Sequence, residues 1–481
     1  MNKSIILYII GWILMLEAAF LLLPLATALI YQETAGFAFL ITIAICLAAG
    51  LILTRRKPKH KIFYLKESYI TVSLSWIVLS IAGALPFLFS GAISNPIDAL
   101  FETVSGFTTT GASILSDVEV MPNCILMWRS FTHWIGGMGV LVFLLILLPM
   151  TGGSRMNLMK AESPGPSVSR LVPKVKSSAR ILYGIYIVLT VLEFIFLLLG
   201  RMPLFDALNT AFATAGTGGF GIKGDSIAGY SSYIQVVITV FMILFGVNFN
   251  AYFLILQKKW RQAFSSSEVL CYLGIIGIAI AVITFTIRSL YSGLGESLRH
   301  AAFQVGSIIT TTGFATADFN QWPGLSCTIL VILMFIGACA GSTGGGIKVS
   351  RILILFKSAR RNLHNVFHPE EIRTVRIDGE RVSEKTIQHV QAYLALYVFI
   401  VIVSFLLVSL DPKEFSMTTN FSAVMATFNN IGPGFDAVGP MSNFSAYGDF
   451  SKIVMCIDML LGRLEIYPIL TMLAYSTYKK A

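Results

Sequence analysis

The run "TTTGAS" at residues 108–113 stands between two long apolar stretches, and close kin of it return downstream as "GTGGFG" at 216–221 and "TTTGFA" at 310–315. These residues carry little side-chain chemistry. Their most available polar groups are backbone carbonyls, so the recurrence asks what a greasy chain does with repeated peptide oxygens.

The flanking composition sets the solvent. Of 481 residues, 55% are hydrophobic and 12% charged, and the mean hydropathy is +0.76. An ordinary soluble domain carries about a quarter charged residues, so this chain belongs in a bilayer. Ten stretches are apolar and long enough to cross a hydrocarbon core of about 30 Å: 5–30, 35–54, 69–90, 124–150, 181–200, 232–256, 269–287, 325–347, 391–410 and 451–475. The even number places both termini on one side. The first run exceeds the apolar core of a signal peptide and contains Glu17, so it is expected to be a retained helix.

The net charge of +10 does not indicate nucleic acid, because most Lys and Arg residues collect in alternate connectors: 55–66, 151–180, 257–262 and 348–388. That asymmetry makes their face cytoplasmic. The same connectors suit anionic membrane lipid. Six scattered cysteines have no metal-like or paired spacing and read as small hydrophobes.

From the third stretch onward a unit of span, short segment and span repeats four times. Residues 98–111 laid over 206–219 without gaps pair Asp98 with Asp206, Ala99 with Ala207, Leu100 with Leu208, Thr109 with Thr217, and Gly111 with Gly219. Residues 300–313 match the first segment at Ala301, Phe303, Ser307, Thr310, Thr311, Thr312 and Gly313. The fourth segment aligns at Phe428 and Gly432; a register through Gly434 and Phe435 is the alternative. As a helix, the part before each glycine reaches about 20 Å, too short to span. It must dip in and return, which non-helical backbone does only when buried in protein or lining a watery cavity.

A cation in a narrow passage needs compensation for lost water, and rings of carbonyls supply it without burying a counter-charge. Glycine takes the dihedrals that let successive carbonyls align, and the short helix aims its negative end at the same place. One such run alone reads as an ordinary turn; three copies at equivalent places favour the pore. Asp117, Asp225, Asp318 and Asp436 follow the four glycines. They are either an outer ring that concentrates cations or solvated turn formers.

The eighth stretch contains "GSTGGGIK" at 341–348. Its glycines cost a helix about 1 kcal/mol each. A phosphate loop would need Gly-Lys-Ser/Thr, and Gly346-Ile347-Lys348-Val349 fails that pattern. The run is expected to be a flexible intramembrane loop obstructing the passage. Arg463 lies mid-span among Met459, Leu460, Ile466 and Tyr467, and a buried guanidinium must find partners. Either it hydrogen-bonds the loop near 341–346, or it forms a structural ion pair with Asp458 or Glu465. His364 and His368 have a metal-compatible spacing without an evident third ligand, the glycines of "WIGGMG" beside Arg129 and His133 suit close helix packing, and "SPGPS" at 163–167 reads as a linker.

The four units, "TTTG" in the first and third, "GFG" and "GFA" after the second and third glycines, "NNIGPG" in the fourth and two extra leading helices together resemble the Trk/Ktr/HKT potassium-uptake superfamily, the TrkH type in particular. The resemblance covers essentially the whole chain. It implies an all-α polytopic membrane protein with four pseudo-symmetric span, pore-helix, span repeats around a central pore, plus two N-terminal transmembrane helices. The corresponding divisions are 1–66, 67–155, 156–262, 263–386 (containing the gating loop 341–348) and 387–481.

It further implies a K⁺ filter at Thr109, Thr110, Gly111, Thr217, Gly218, Gly219, Thr311, Thr312, Gly313, Asn430, Ile431 and Gly432. The implied gate comprises Gly341, Ser342, Thr343, Gly344, Gly345, Gly346, Lys348 and Arg463. Glycine rather than serine at 111 favours K⁺ over Na⁺. The resemblance also implies a homodimer in the bacterial cytoplasmic membrane with both termini cytoplasmic, a cytoplasmic TrkA-type nucleotide-binding regulatory subunit, K⁺ as the transported ion, no organic cofactor and no nucleic acid. Ion-coupled secondary transport, driven by H⁺ or Na⁺, is the alternative. No nucleophile, base or metal set marks an intramembrane enzyme.

Overall fold

A computed structural model describes residues 2–55, 58, 64–139, 175–371 and 373–474. The chain is helical nearly throughout the described residues, with a two-residue antiparallel ladder, Arg376–Ile377 with Glu380–Arg381, turning through Asp378 and Gly379. The linker "SPGPS", the end of the 124–150 stretch and much of the 151–180 connector lie outside the described residues.

Two N-terminal spans, Lys3–Tyr31 and Gly36–Thr54, pack as a pair. Their crossing is backbone against backbone: a Cβ at Gly11 would lie 3.0 Å from the carbonyl oxygen of Gly50, and one at Gly50 would lie 2.8 Å from that of Gly11. Small residues at such a crossing let dispersion hold two helices together where lipid supplies no hydrophobic drive.

Each of the four repeats opens with an unbroken span: Leu65–Phe89, Ala179–Leu199, Ser267–Thr286 and Glu384–Val408. Residues such as Ile81, Val188, Ile278, Phe285, Phe399 and Leu406 stay exposed on these helices, as a lipid-facing surface requires. A short helix follows in every repeat: Pro96–Phe107, Leu204–Gly216, Leu294–Ile309 and Met417–Phe428. The first starts where Asn95 accepts a hydrogen bond from the Ile97 amide at 2.8 Å, with Pro96 at the opening helical position. The fourth starts where Ser416 accepts from the Thr419 amide. These four pore helices are buried, with Phe101, Ala207, Phe303 and Met425 all inaccessible.

The closing spans of the second and fourth repeats differ from the hydropathy reading. Continuous helices are expected at 232–256 and 451–475, but the structure breaks both. Ser232–Phe245 and Phe249–Leu256 meet at a bend of 89°, and Asp449–Arg463 gives way to Tyr467–Leu473 after Leu464–Ile466. The first repeat's helix, Asn123–Gly137, ends at Met138, and the third repeat's, Gly324–Ile336, yields to the 337–348 loop before Val349–Phe367. Hydropathy misses the breaks of the second and fourth closing spans because both arms are apolar, whereas the third repeat's break is the one the glycines of 341–348 indicate, begun four residues earlier at Gly337.

The cause is steric. A Cβ at Gly136 would overlap the carbonyl oxygen of Phe107, one at Gly462 would overlap that of Phe428, and one at Gly246 would crowd Thr310 and Tyr272. Three of the four closing spans thus bring glycine backbone against the C-terminal end of a pore helix, and their helices stop at or just beyond those glycines.

Candidate ion pathway

All four pore helices stop in the same way. Thr109, Thr217, Thr311 and Asn430 adopt the left-handed conformation at φ 55°, 54°, 58° and 55°. Their amides donate to Gly106, Thr214, Ile308 and Thr427. The next amides, of Thr110, Gly218, Thr312 and Ile431, reach back to the carbonyls of Ser105, Ala213, Ser307 and Ala426 at 2.8–2.9 Å. This pair of bonds is the Schellman helix stop, repeated four times.

Glycine or asparagine ordinarily occupies its left-handed position. Threonine there costs about 1–2 kcal/mol, a strain that persists only where surroundings over-determine it. Two residues further the chain turns again: Gly111, Gly219, Gly313 and Gly432 have φ of 81°, 78°, 87° and 100°. Gly432, not Gly434, carries the positive φ, so the fourth segment is in register with the others through "NNIG".

The glycines also report how the segments sit together. A Cβ on Gly111 would overlap the carbonyl oxygen of Gly218, one on Gly219 that of Thr312, and one on Gly313 that of Ile431. A Cβ on Gly432 would lie 2.8 Å from the carbonyl oxygen of Thr110. Segment one touches two, two touches three, three touches four, and four returns to one. The oxygens of Thr110, Gly218, Thr312 and Ile431 are equivalent in sequence, each immediately before its glycine, and form a closed ring of neighbours.

Side chains keep only partial symmetry. The hydroxyls of Thr108 and Thr110 lie 2.8 Å apart and those of Thr310 and Thr312 2.7 Å apart, while the fourth segment sends Asn430 Nδ2 to Thr110 Oγ1 at 3.0 Å.

The 341–348 loop lies against this ring. The Gly345 amide donates to Thr311 Oγ1 at 2.6 Å. A Cβ on Gly344 would lie 2.7 Å from the Thr310 carbonyl, and one on Gly345 would overlap that of Asn429, so the loop's glycines permit contact with the ends of pore helices three and four. Lys348 Nζ donates to the Gly344 carbonyl. Ser342 is tied within the loop to the Cys339 carbonyl at 2.7 Å. The Gly341 carbonyl takes the Phe249 amide at 3.0 Å, and the Ala340 amide donates to Glu268 Oε1 at 2.6 Å. Gly346 turns at φ 78° against Gly337.

Arg463 sits between loop and ring. Its Nη1 donates to the Thr343 carbonyl at 2.8 Å and to Thr109 Oγ1 at 3.2 Å, and its Nη2 donates to the carbonyls of Gly136 and Gly137. Of the acids near it in sequence, Asp458 accepts from Ser404 at 2.6 Å and Glu465 pairs with Arg351. One cation therefore holds the loop, the first ring segment and the end of the first repeat's closing helix.

The four mouth aspartates are not equivalent. Asp117 and Asp318 accept amides two residues onward, as turn formers do. Asp436 accepts from the hydroxyls of Ser416 and Thr419 at 2.5 and 2.7 Å, which holds its carboxyl below the ordinary aspartate range. Asp225 lies exposed near Gly229. His364 bonds Glu371 at 2.7 Å, and among the described residues no cluster of His, Cys, Asp or Glu could hold a metal. The described cysteines are all free thiols.

Sequence reasoning passes over Glu102, which is inside the first pore helix and paired with Arg129 at 2.7 Å, and over Glu268 and Arg351, which secure the loop's outer ends. A glutamate nine residues before Gly111, with an arginine in the following apolar helix, is the available signal for the first.

Comparison with known proteins agrees over the whole length. The family described as TrkH, cation transport protein, matches residues 35–478. The Trk system potassium uptake protein TrkH of Salmonella typhimurium is 35% identical over 98% of both chains, and that of Halomonas elongata is 32% identical over all of both. The crystal structure of the potassium transporter TrkH from Vibrio parahaemolyticus superposes with a TM-score of 0.88 at 31% identity, covering each chain completely. A fourfold repeat of span, pore helix and closing helix, matched from end to end by transporters of one kind, makes this chain a member of the TrkH family of cation transport proteins.

Proposed function

We propose that the protein takes up K⁺ across the bacterial cytoplasmic membrane through a filter of backbone carbonyls. The observation that carries this reading is the closed ring formed by the peptide oxygens of Thr110, Gly218, Thr312 and Ile431, each against the glycine of the next segment. Oxygens held by rigid helix stops replace an ion's water without rearranging, and the negative ends of four pore helices favour a cation beside them. The threonine hydroxyls of segments one and three extend the oxygen lining. That the relatives are potassium uptake proteins and transporters supports the same cargo and a non-enzymatic role.

The loop 341–348 with Arg463 is the gate. Loop backbone hooked to Thr311, and a guanidinium hooked to Thr109, put an obstruction and a positive charge against the ring from one side. Opening requires these bonds to break together. The sequence carries no recognisable nucleotide-binding motif, and we assign the gate's signal to a cytoplasmic TrkA-type nucleotide-binding subunit meeting the basic connectors of a homodimer, both termini on that side. The test is ⁸⁶Rb⁺ uptake into proteoliposomes against Na⁺ competition, with and without a membrane potential. Saturable uptake that K⁺ suppresses and Na⁺ does not supports a K⁺ filter; equal suppression by both ions refutes it.

A further inference from the structure

The four filter segments are tied to one another a second time, just outside the ring. Between segments two and three, the Ile227 amide donates to the Ala315 carbonyl at 3.0 Å and the Ala315 amide to Ser226 Oγ at 3.2 Å. Between three and four, the Asp436 amide donates to Asn320 Oδ1 at 3.0 Å. Between four and one, the Phe444 amide donates to the Ser113 carbonyl at 2.8 Å. The seam between one and two is built differently, from a buried ion pair.

Arg129 Nε lies 2.7 Å from Glu102 Oε1, with the two side chains 2% and 0% exposed. Glu102 also accepts from the Ser113 hydroxyl at 3.0 Å and the Ile114 amide at 3.0 Å. Arg129 Nη2 donates to Ser113 Oγ and Nη1 to the Gly221 carbonyl, both at 3.2 Å. Ser113 stands two residues after Gly111, and Gly221 two residues after Gly219, so one guanidinium holds equivalent points of neighbouring segments. Its carbon lies 4.1 Å from the ring centroid of Phe220, the residue beside Gly219, which also stacks on the His133 ring at 4.2 Å. The only further link across this seam among the described hydrogen bonds is exposed, from the Gly224 amide to Glu119 at 3.1 Å.

We infer that Arg129 and Glu102 are a positioning pair that sets the spacing of filter segments one and two, and through it the discrimination of K⁺ from Na⁺. The inference rests on the potassium-filter reading above. Its physical basis is the rigidity of a planar fork: Nε, Nη1 and Nη2 each have a fixed acceptor, so Ser113, Gly221 and Glu102 cannot move independently. The other repeats carry Thr210, Gln304 and Ala423 at the place of Glu102, and their seams close through backbone amides, so the charged brace is peculiar to this quarter. A filter that must hold a dehydrated K⁺ while refusing a smaller ion is sensitive to the spacing of its oxygens. A slack seam lets two of the four oxygens close on Na⁺.

The experiment measures ⁸⁶Rb⁺ uptake with Na⁺ competition for the full-length protein in proteoliposomes. Arg129→Gln and Glu102→Gln, which remove charge while keeping an amide side chain, are expected to lower the preference for Rb⁺ over Na⁺ about tenfold, the effect of about 1.4 kcal/mol in differential binding. Arg129→Lys keeps the charge but loses the fork, and is expected to recover little of the preference, a result that a role of charge alone does not produce. Should the charge-removing variants fail to fold, Phe220→Leu and Ser113→Ala retain the pair while cutting its hold on the segments, and are expected to shift discrimination the same way. Wild-type discrimination in the folded variants overturns the inference. Gly111→Ser in the same assay separates the two readings: if it alters discrimination while the pair's variants do not, only the positioning role falls, and if it too is silent, the filter assignment falls with it.

Discussion

Arg463 and Thr343 are joined by a 2.8 Å hydrogen bond from guanidinium to carbonyl, across 120 residues of sequence and between two different repeats. The bond makes the last repeat the keeper of a loop that belongs to the third. Because the same guanidinium also reaches Thr109, any movement of the loop that breaks the bond leaves a charge beside the first filter segment with fewer partners, which favours a switch between two arrangements over gradual drift.

Arg463→Ala, and separately deletion of Gly344–Gly346, are therefore expected to raise the uptake of K⁺ or ⁸⁶Rb⁺ severalfold in proteoliposomes lacking any regulatory subunit. Arg463→Lys retains charge but loses the forked contacts with Thr343, Thr109, Gly136 and Gly137, and is expected to fall between wild type and alanine. If loop deletion and Arg463→Ala leave flux unchanged in protein of normal gel-filtration profile, the loop is not the gate.

Two glycines of one segment make a sharper contrast. Gly313 has φ 87° and its missing Cβ would overlap the Ile431 carbonyl, whereas Gly306, seven residues earlier in the pore helix, would place a Cβ no nearer than 3.6 Å to any atom outside its own helix. Gly313→Ala is expected to abolish uptake. Gly306→Ala is expected to preserve it and to hold or raise thermal stability by up to about 1 kcal/mol, the helix-propensity difference. Equal damage from both would mean that glycine serves packing alone.

The fourth pore helix depends on acid chemistry at its start. Asp436 accepts from Ser416 and Thr419, so its carboxyl titrates below the ordinary value of 3.8. A depressed folded-state pKa contributes stability that is present above the unfolded value and is lost as pH falls through the folded one. The protein should thus lose this contribution below about pH 4. Asp436→Asn should lower the melting temperature at pH 7 by a small amount, since the group is largely exposed, and the gap from wild type should narrow in acid. A gap that does not narrow assigns the carboxylate no ionic role.

Much of this architecture was legible before any coordinate. Charge asymmetry and hydropathy locate the spans, and laying Gly111 over Gly219 and Gly313 locates three pore helices, because both depend on local composition. The fourth register was harder: "NNIGPG" offers two glycines, and only the backbone at Asn430 and Gly432 distinguishes them. The breaks at Gly246 and Gly462 were invisible for a different reason. Gly246 meets Tyr272 and Thr310 of the third repeat, and Gly462 meets the Phe428 carbonyl 34 residues earlier in its own repeat, contacts that no short window of the sequence contains. Glu102 and Arg129 are 27 residues apart and have opposite charges, yet meet only because the chain returns through residues 108–122 from the first pore helix to Asn123–Gly137.

The central claim is that four peptide oxygens, those of Thr110, Gly218, Thr312 and Ile431, coordinate the transported ion. Anomalous diffraction from crystals of the full chain grown in Rb⁺ tests it most directly. The account predicts a strong Rb⁺ peak inside the ring formed with Gly111, Gly219, Gly313 and Gly432, diminished when Na⁺ replaces Rb⁺. A ring without Rb⁺ at concentrations that saturate uptake, with ions bound elsewhere along the chain, would contradict it.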